Sequence, residues 1–253
     1  MKRVAIVGVC LLFAGMAFAA DKLDVDSPHA RADCPGPDDY GYTCDPDCAF
    51  EFIDISATGT LIGDAVGDDV LSAPVAIDPF DFYGTIVNAF QVSSNGFLST
   101  NAASSDLSNE CPLPSAALAE SRLSALWDDL ETDQGQGAFV QYFAVCPRPG
   151  VQGDEPCTIF MWDVNHFPGP GNWLQEVILY HTTSDIVFQI GDGEPELGDS
   201  ATTGIQNFDG TDGLTVVCNV PGGIPNNSAF CIRYPRATPT DEVTWGKIKA
   251  DYR

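Results

Sequence analysis

The sequence has few basic residues and, after its first nineteen positions, no long run of apolar residues. Lysine and arginine together number 11 against 36 aspartates and glutamates, which gives a formal net charge of −25. A chain this acidic does not attract nucleic acid or an anionic membrane through its own field, so both are excluded as partners. No later segment approaches the ~20 apolar residues of a membrane-spanning helix, which excludes membrane insertion of that kind.

Residues that carry nucleophilic and zinc chemistry are scarce too. The chain has three histidines, no Gly-x-Ser-x-Gly motif and no CxxC opposite another CxxC, which argues against a serine triad and a zinc site. Acids are abundant, and Asp128 and Asp129, with Glu176 elsewhere, suggest a glycosidase-like hydrolase as the alternative function. Neighbouring strand residues point to opposite faces, so these aspartates share a substrate only if the strand breaks there. We therefore predict no catalytic residues and no enzymatic activity.

The amino terminus has the pattern of a secretory signal peptide. Lys2 and Arg3 precede a mostly apolar run over residues 4–16, and Ala17-Phe18-Ala19 fits a small-x-small cleavage site. These features predict a signal peptide at residues 1–19. The mature protein is then expected to be secreted, with an extracellular, cell-surface or periplasmic location.

Cysteine usage agrees with export. Cys10 belongs to the predicted signal peptide, and the eight cysteines that remain predict four disulfides in an oxidising compartment. Their spacing predicts two local pairs, Cys146–Cys157 across a hairpin and Cys218–Cys231 across a loop. The pairing of the other four stays open, with Cys111 the natural partner for one of the three cysteines in the amino-terminal segment. These four are Cys34, Cys44, Cys48 and Cys111.

Strand patterns in this chain are arranged around one turn. Asn95-Gly96 lies between two short apolar runs and is among the strongest hairpin signals. Further strand patterns recur with Gly, Asp and Asn turns between them, which predicts an all-β fold: an antiparallel β-sandwich cross-linked by disulfides. We place this domain at residues 49–235, beginning with a strand at Phe50–Ile55. One or two helical turns are expected inside it, at Ser115–Arg122.

The segments on either side of the predicted sandwich differ from it. Residues 20–48 are rich in Asp, Pro and Gly and contain three cysteines, so an irregular segment held by disulfides is expected. Residues 236–253 are predicted to form a linker and a short amphipathic helix that Thr240 caps. The apolar stripe of this helix consists of Trp245, Ile248 and Tyr252. We expect the helix to dock on its own domain or to bind a partner protein.

Two kinds of loop are candidate binding sites. The Pro/Gly-rich loop at residues 165–173 is a candidate stacking platform for a sugar or peptide, with His166, Phe167 and Trp173 as its binding residues. Acidic loops with intervening glycines offer the oxygen ligands that calcium prefers, so calcium is the one cofactor considered. The candidate calcium ligands are Asp192, Glu194, Asp209 and Asp212, and a further acidic turn contains Asp64, Asp68 and Asp69.

A series of motifs lies in order over roughly residues 49–235. They include Phe50-Glu51-Phe52-Ile53-Asp54-Ile55, Phe80-Asp81-Phe82-Tyr83-Gly84-Thr85, Leu126-Trp127-Asp128-Asp129-Leu130 and Ala201-Thr202-Thr203-Gly204-Ile205-Gln206-Asn207. Together they resemble an extracellular β-sandwich domain of secreted bacterial proteins, which often stands beside subtilisin-like peptidase or repeat domains. That domain is distantly similar to the nidogen-type module of adhesion proteins. The resemblance implies an adhesion-like role.

The sequence thus predicts a secreted, non-catalytic binding or structural module that presents loops from a β-sandwich to an extracellular glycan or protein ligand. Two alternatives stay open. One is the glycosidase-like hydrolase that uses loop carboxylates. The other is a subunit of a cell-surface assembly, docked through its C-terminal tail.

Overall fold

The fold class predicted from the strand patterns is confirmed. A computed structural model describes residues 34–45, 47–169 and 171–236, and these contain fourteen β-strands and a single 3-10 turn at Gly63–Ala65. In the described part of the chain, no helix is long and apolar enough to cross a membrane. The predicted signal peptide and the predicted C-terminal helix lie outside the described residues.

The strands form two antiparallel sheets. In chain order they are β1 (Thr43–Asp45), β2 (Thr60–Leu61), β3 (Val75–Phe82), β4 (Thr85–Val92), β5 (Phe97–Ser99), β6 (Arg122–Trp127), β7 (Leu130–Glu131), β8 (Gly137–Phe143), β9 (Cys157–His166), β10 (Asn172–Tyr180), β11 (Ile186–Gly193), β12 (Thr202–Gln206), β13 (Gly213–Cys218) and β14 (Ser228–Arg233). Sheet 1 has the order β1-β14-β11-β10-β9-β8-β2, with β7 paired to the end of β9. Sheet 2 has the order β13-β12-β6-β5-β4-β3.

The main core lies between the two sheets, where β6 of sheet 2 faces β10 and β11 of sheet 1. Strand β11 illustrates how the sequence produces this layer. Ile186, Phe188 and Ile190 enter the main core, whereas Val187 joins a separate cluster on the outer face of sheet 1. Successive side chains of a strand alternate between faces, and because both sets are buried here, β11 is covered on both sides.

The outer face of sheet 1 is covered by residues 50–55, which we call the strap. The predicted strand at Phe50–Ile55 is wrong, because these residues pair with no strand. Alternate backbone N–H groups of the strap instead donate to side chains of sheet 1. These N–H groups are therefore hydrogen-bonded although the strap pairs with no strand. The three bonds are Glu51 N to Gln189 Oε1 (2.6 Å), Ile53 N to Glu176 Oε1 (3.2 Å) and Ile55 N to Met161 Sδ (3.4 Å).

The outer face of sheet 2 is covered by the loop of residues 100–121, called here the cover loop. The helical turns predicted at Ser115–Arg122 are wrong: the loop makes a short turn there, and Arg122 opens β6. Gln206 of β12 holds this turn, since its side-chain nitrogen donates to the carbonyl oxygens of Leu118 (2.7 Å) and Glu120 (2.8 Å). A side chain of the sheet thus again takes the place of regular backbone pairing.

The predicted hairpin at Asn95-Gly96 is confirmed as the connection between β4 and β5. Gly96 has a φ of 81°, and a Cβ there would collide with the carbonyl oxygen of Leu126. Asn95 does not share the positive φ that the sequence predicts. Its fully buried side chain instead donates to Asp69 Oδ1 (2.9 Å) and accepts from the Leu130 N–H (2.8 Å). The turn therefore anchors two neighbouring loops.

Four disulfides join the eight described cysteines. The Cys146–Cys157 pair is present as its spacing predicts. The predicted Cys218–Cys231 pair is wrong, because these cysteines lie on β13 and β14, which belong to different sheets. Cys111 was also expected to pair with the amino-terminal segment and does not. The other three pairs are Cys34–Cys44, Cys48–Cys231 and Cys111–Cys218.

Two of these disulfides have the same structural role. Cys48–Cys231 joins the chain just before the strap to β14 of sheet 1, the sheet that the strap covers. Cys111–Cys218 joins the cover loop to β13 of sheet 2. Each covering layer is therefore covalently attached to its own sheet.

The described part of the predicted irregular segment at residues 20–48 is more ordered than its composition suggests. Strand β1 pairs with β14, and Tyr42 is completely buried in the main core. The Tyr42 ring lies 4.9 Å from that of Tyr83 and 5.6 Å from that of Tyr234. Tyrosine supplies apolar area here that a count of aliphatic residues overlooks.

Candidate functional site

The loop predicted to be a stacking platform does not present its aromatic residues as one. Trp173 is fully buried, and its indole N–H donates to the carbonyl oxygen of Glu194 at 3.2 Å. The His166 ring lies 5.2 Å from the Trp173 ring, and its Nε2 is 3.6 Å from Asp128 Oδ2. Only Phe167, 39% exposed, offers a face to solvent. The structure does not present these three residues as one exposed face, and their role in binding stays a prediction.

Of the predicted calcium ligands, Asp192 lies near the end of β11 with Glu194 just after it, whereas Asp209 and Asp212 lie between β12 and β13. The structure does not bring the four together into a ligand group. Carboxylates of this set accept hydrogen bonds from protein groups instead. Asp192 Oδ1 accepts from Asn226 Nδ2 (3.0 Å), and the two oxygens of Asp212 accept from the N–H groups of residues 39 and 40 (3.0 and 2.7 Å). Their proximity in sequence reflects hydrogen-bonded turns.

A different acidic group does converge. Within the described ranges, Asp68, Asp69 and Asp129 form the one set of three possible ligand residues whose oxygens all lie within 4.8 Å of one another. We call it the acidic triplet. Asp68 and Asp69 belong to an acidic turn noted in the sequence, but the contribution of Asp129 was missed because it comes from the β6–β7 connection. Three carboxylates supply part of the six to eight oxygens that calcium takes.

The strand break considered for Asp128 and Asp129 is present, and it separates them. Strand β6 ends one residue before Asp128, whose Oδ2 accepts from the Ser200 hydroxyl at 2.5 Å. Asp129 turns towards the acidic triplet. Glu176 lies elsewhere, buried beneath the strap. The three acids suggested for a hydrolase are therefore not assembled into one site.

The pKa of Asp129 is raised above its usual value. Partial burial, followed by the negative charges of Asp69 and Asp68, raises the pKa of Asp129 from 3.8 to about 6. Burial disfavours the charged form, and nearby like charges add to that effect. Near pH 6 the triplet therefore holds a carboxyl group close to its titration midpoint.

Asp129→Asn is expected to stabilise the protein above pH 6, because it removes a carboxylate whose ionisation is disfavoured in the folded state. The raised pKa means that wild-type stability declines as pH rises from about 4 to about 6. The variant's advantage should therefore be absent below pH 4 and reach about 1 kcal/mol at pH 7.5, discounted for partial solvation. Urea unfolding between pH 3.5 and 7.5, with Asp154→Asn at an exposed loop as control, measures the difference. An advantage that does not depend on pH would contradict this assignment.

A groove between the edges of the two sheets was not predicted. It has a volume of about 400 Å³ and is lined by residues of β2, β3, β8 and β9 and the turn before β2. It lies where the β2–β8 edge of sheet 1 meets the free edge of β3 in sheet 2. We call it the Tyr142 groove, after a tyrosine whose side chain is 48% exposed. Its residues come from distant parts of the chain, so no contiguous motif marks it.

The predicted resemblance to a nidogen-type domain agrees with comparison to known proteins. A family model described as NIDO related matches residues 41–229, which begin just before β1 and end in β14. Neither the comparison with curated proteins nor the comparison with solved structures gave a match. Since the family model covers well over half of the 253 residues, the chain belongs to the NIDO-related family.

Proposed function

We propose that the protein is an exported, non-catalytic binding or structural module that presents a fixed surface to an extracellular glycan or protein. The observation that carries the proposal is the covalent attachment of both covering layers, through Cys48–Cys231 and Cys111–Cys218. Disulfides persist in oxidising compartments, and a surface held in this way binds without paying for the ordering of loops. Membership of the NIDO-related family supports an extracellular role.

The test is a binding screen of the purified protein against a glycan array and intact cell surfaces, with calcium or with a chelator. Saturable binding without turnover of the bound material is the expected result. Reduction of the disulfides before the screen should abolish it, because the covering layers then lose their attachment. Absence of binding to both arrays and cells would overturn the proposed function.

A hydrolase using loop carboxylates is the second candidate, and one observation favours it. Asp129 has a pKa of about 6 beside two other acids, and retaining glycosidases place two carboxyl groups about 5 Å apart. The exposure of Asp68 and Asp69 argues against a hydrolase, because a sugar ring bound beside them would stay in contact with water. Release of reducing sugar from a polysaccharide panel by the wild type, lost in Asp129→Asn, would establish the hydrolase in place of the binding module.

The third candidate is a subunit of a cell-surface assembly that is docked through the predicted helix in residues 236–253. Residues 237–253 are outside the described residues, so the proposal rests on their sequence pattern. Deleting residues 240–253 and measuring how much protein remains on the cell surface tests it. Release into the medium would support the docking role, whereas unchanged retention would contradict it.

A further inference from the structure

The Tyr142 groove combines an aromatic face with several uncharged hydrogen-bonding groups. The Tyr142 ring stands 6.0 Å from the ring of His181, and Asp78 also lines the groove. The neighbouring Gln141 side chain accepts from the Thr58 hydroxyl at 2.7 Å through Oε1, which directs its amide N–H₂ to other acceptors. An exposed ring bordered by a carboxylate, an amide and hydroxyl groups matches the alternating apolar and polar faces of a sugar.

The side chains that border the groove are held in place. His181 Nε2 and the Thr158 hydroxyl share a hydrogen bond of 2.8 Å. His181 Nδ1 lies 3.3 Å from the carbonyl oxygen of Pro79. Burial lowers the pKa of His181, so the imidazole is neutral near pH 7. Tyr142 therefore rests beside a fixed ring, and little rotamer entropy is lost when a ligand stacks on it.

Two observations favour a saccharide over a peptide added to the sheet edge. The β3 edge contains Pro79, which has no N–H to donate, and the pairing of β3 with β4 shifts register between Ala76 and Phe80. A bulge and a proline at an edge both oppose the pairing of another strand. These features argue against a peptide bound through its backbone. They do not affect the side chains that would bind a sugar.

The charge of the groove restricts the kind of sugar. Asp78 is its one ionisable carboxylate, and none of its lining residues is lysine or arginine. In a chain with a net charge of −25, uronic, sialylated or sulfated sugars would be repelled. Neutral sugars and amino sugars meet no such penalty.

From this geometry, and resting on the proposed binding function, we infer that the Tyr142 groove binds a neutral or amino-sugar oligosaccharide. One sugar ring lies on the Tyr142 ring, and its hydroxyl groups bond to Asp78. The groove's open form and volume of about 400 Å³ suit a short stretch of a chain that continues past both ends. The binding residues are therefore those of a sheet junction, away from the loop at residues 165–173.

The test measures binding of the purified wild type and variants to an array of neutral, amino-sugar and acidic oligosaccharides. Tyr142→Ala is expected to weaken binding to the neutral or amino-sugar probes at least tenfold, and Asp78→Ala severalfold. Tyr142→Phe, which keeps the ring, should stay within about threefold of the wild type. Leu107→Ala removes another exposed apolar side chain outside the groove and should leave binding unchanged. Thermal unfolding confirms that each variant is folded.

The outcomes separate the site from the general function. Binding to neutral glycans that Tyr142→Ala leaves intact would overturn the groove and retain the binding module. Binding to cells or acidic glycans alone would overturn the saccharide class assigned here and again retain the module. If neither arrays nor cells bind, the proposed function fails as well.

Discussion

Arg122→Ala is expected to lower the free energy of unfolding by about 3–5 kcal/mol, the range for removing one partner of a buried ion pair. The Arg122 side chain is completely buried, with Nη2 3.0 Å from Asp106 and Nη1 2.9 Å from Glu120. Its guanidinium also lies 4.1 Å from the centre of the Phe97 ring. Truncation would leave a cavity, remove a cation–π contact and leave two carboxylates without their cationic partner.

The loss should be concentrated in the cover loop, because Asp106 and Glu120 both belong to it. Denaturant unfolding measures the free energy, and amide hydrogen exchange over residues 100–121 locates the change. Arg122→Lys keeps the charge but not the planar fork that bonds two acids, so an intermediate loss is expected. A loss below 1 kcal/mol for the alanine variant would mean that the loop is held by the Cys111–Cys218 disulfide and Gln206 without the arginine.

Glu176→Gln is expected to stabilise the protein by about 3 kcal/mol at pH 7. Burial under the strap raises the pKa of Glu176 from 4.5 to about 8, and hydrogen bonds from Ile53 and Gln189 offset only part of the rise. The folded state therefore holds a proton that the unfolded state releases above pH 4.5. Wild-type stability declines as pH rises from 4.5 to 8, at about 1.4 kcal/mol per pH unit.

The glutamine carbonyl oxygen can accept the bonds from the Ile53 N–H (3.2 Å) and Gln189 Nε2 (2.5 Å) without titrating. The stability difference between variant and wild type should be near zero below pH 4.5, grow with pH and level off above 8. Urea unfolding at intervals across this range measures it. Glu176→Ala, which removes the acceptor, should destabilise the protein at every pH. A Glu176→Gln difference that stays constant with pH would show that the carboxyl titrates normally.

Local patterns in the sequence were sufficient for much of the sandwich. Alternation of Ile186, Phe188 and Ile190 with their neighbours indicated a strand, and Asn95-Gly96 located the central hairpin. Cys146 and Cys157 lie at the ends of adjacent strands, so their spacing was informative. Each of these inferences depends on residues that are close in the chain, where a period of two or a turn preference is directly legible.

The strap, the cover loop and the candidate sites could not be predicted because they depend on contacts between distant segments. An alternating run such as Phe50–Ile55 has the same appearance whether its N–H groups bond to a strand or to side chains such as Gln189. A single arginine gives no sign in sequence that two acids and two aromatic rings will enclose it. Tyr142 occupies an ordinary strand pattern, and only the sheet topology places it beside β3.

The position of Cys48–Cys231 has a mechanical consequence. Antiparallel strands β1 and β14 are paired from Thr43↔Arg233 to Asp45↔Cys231, and the Cys34–Cys44 disulfide carries tension from residue 34 directly into β1. Tension between residues 34 and 236 would therefore separate these few pairs first. After those pairs the load reaches the disulfide, which bridges a separation of 183 residues. The polypeptide between the two cysteines then carries no force. A molecule pulled from both ends would lengthen only slightly and would keep its sheets, and with them its binding surface, under load.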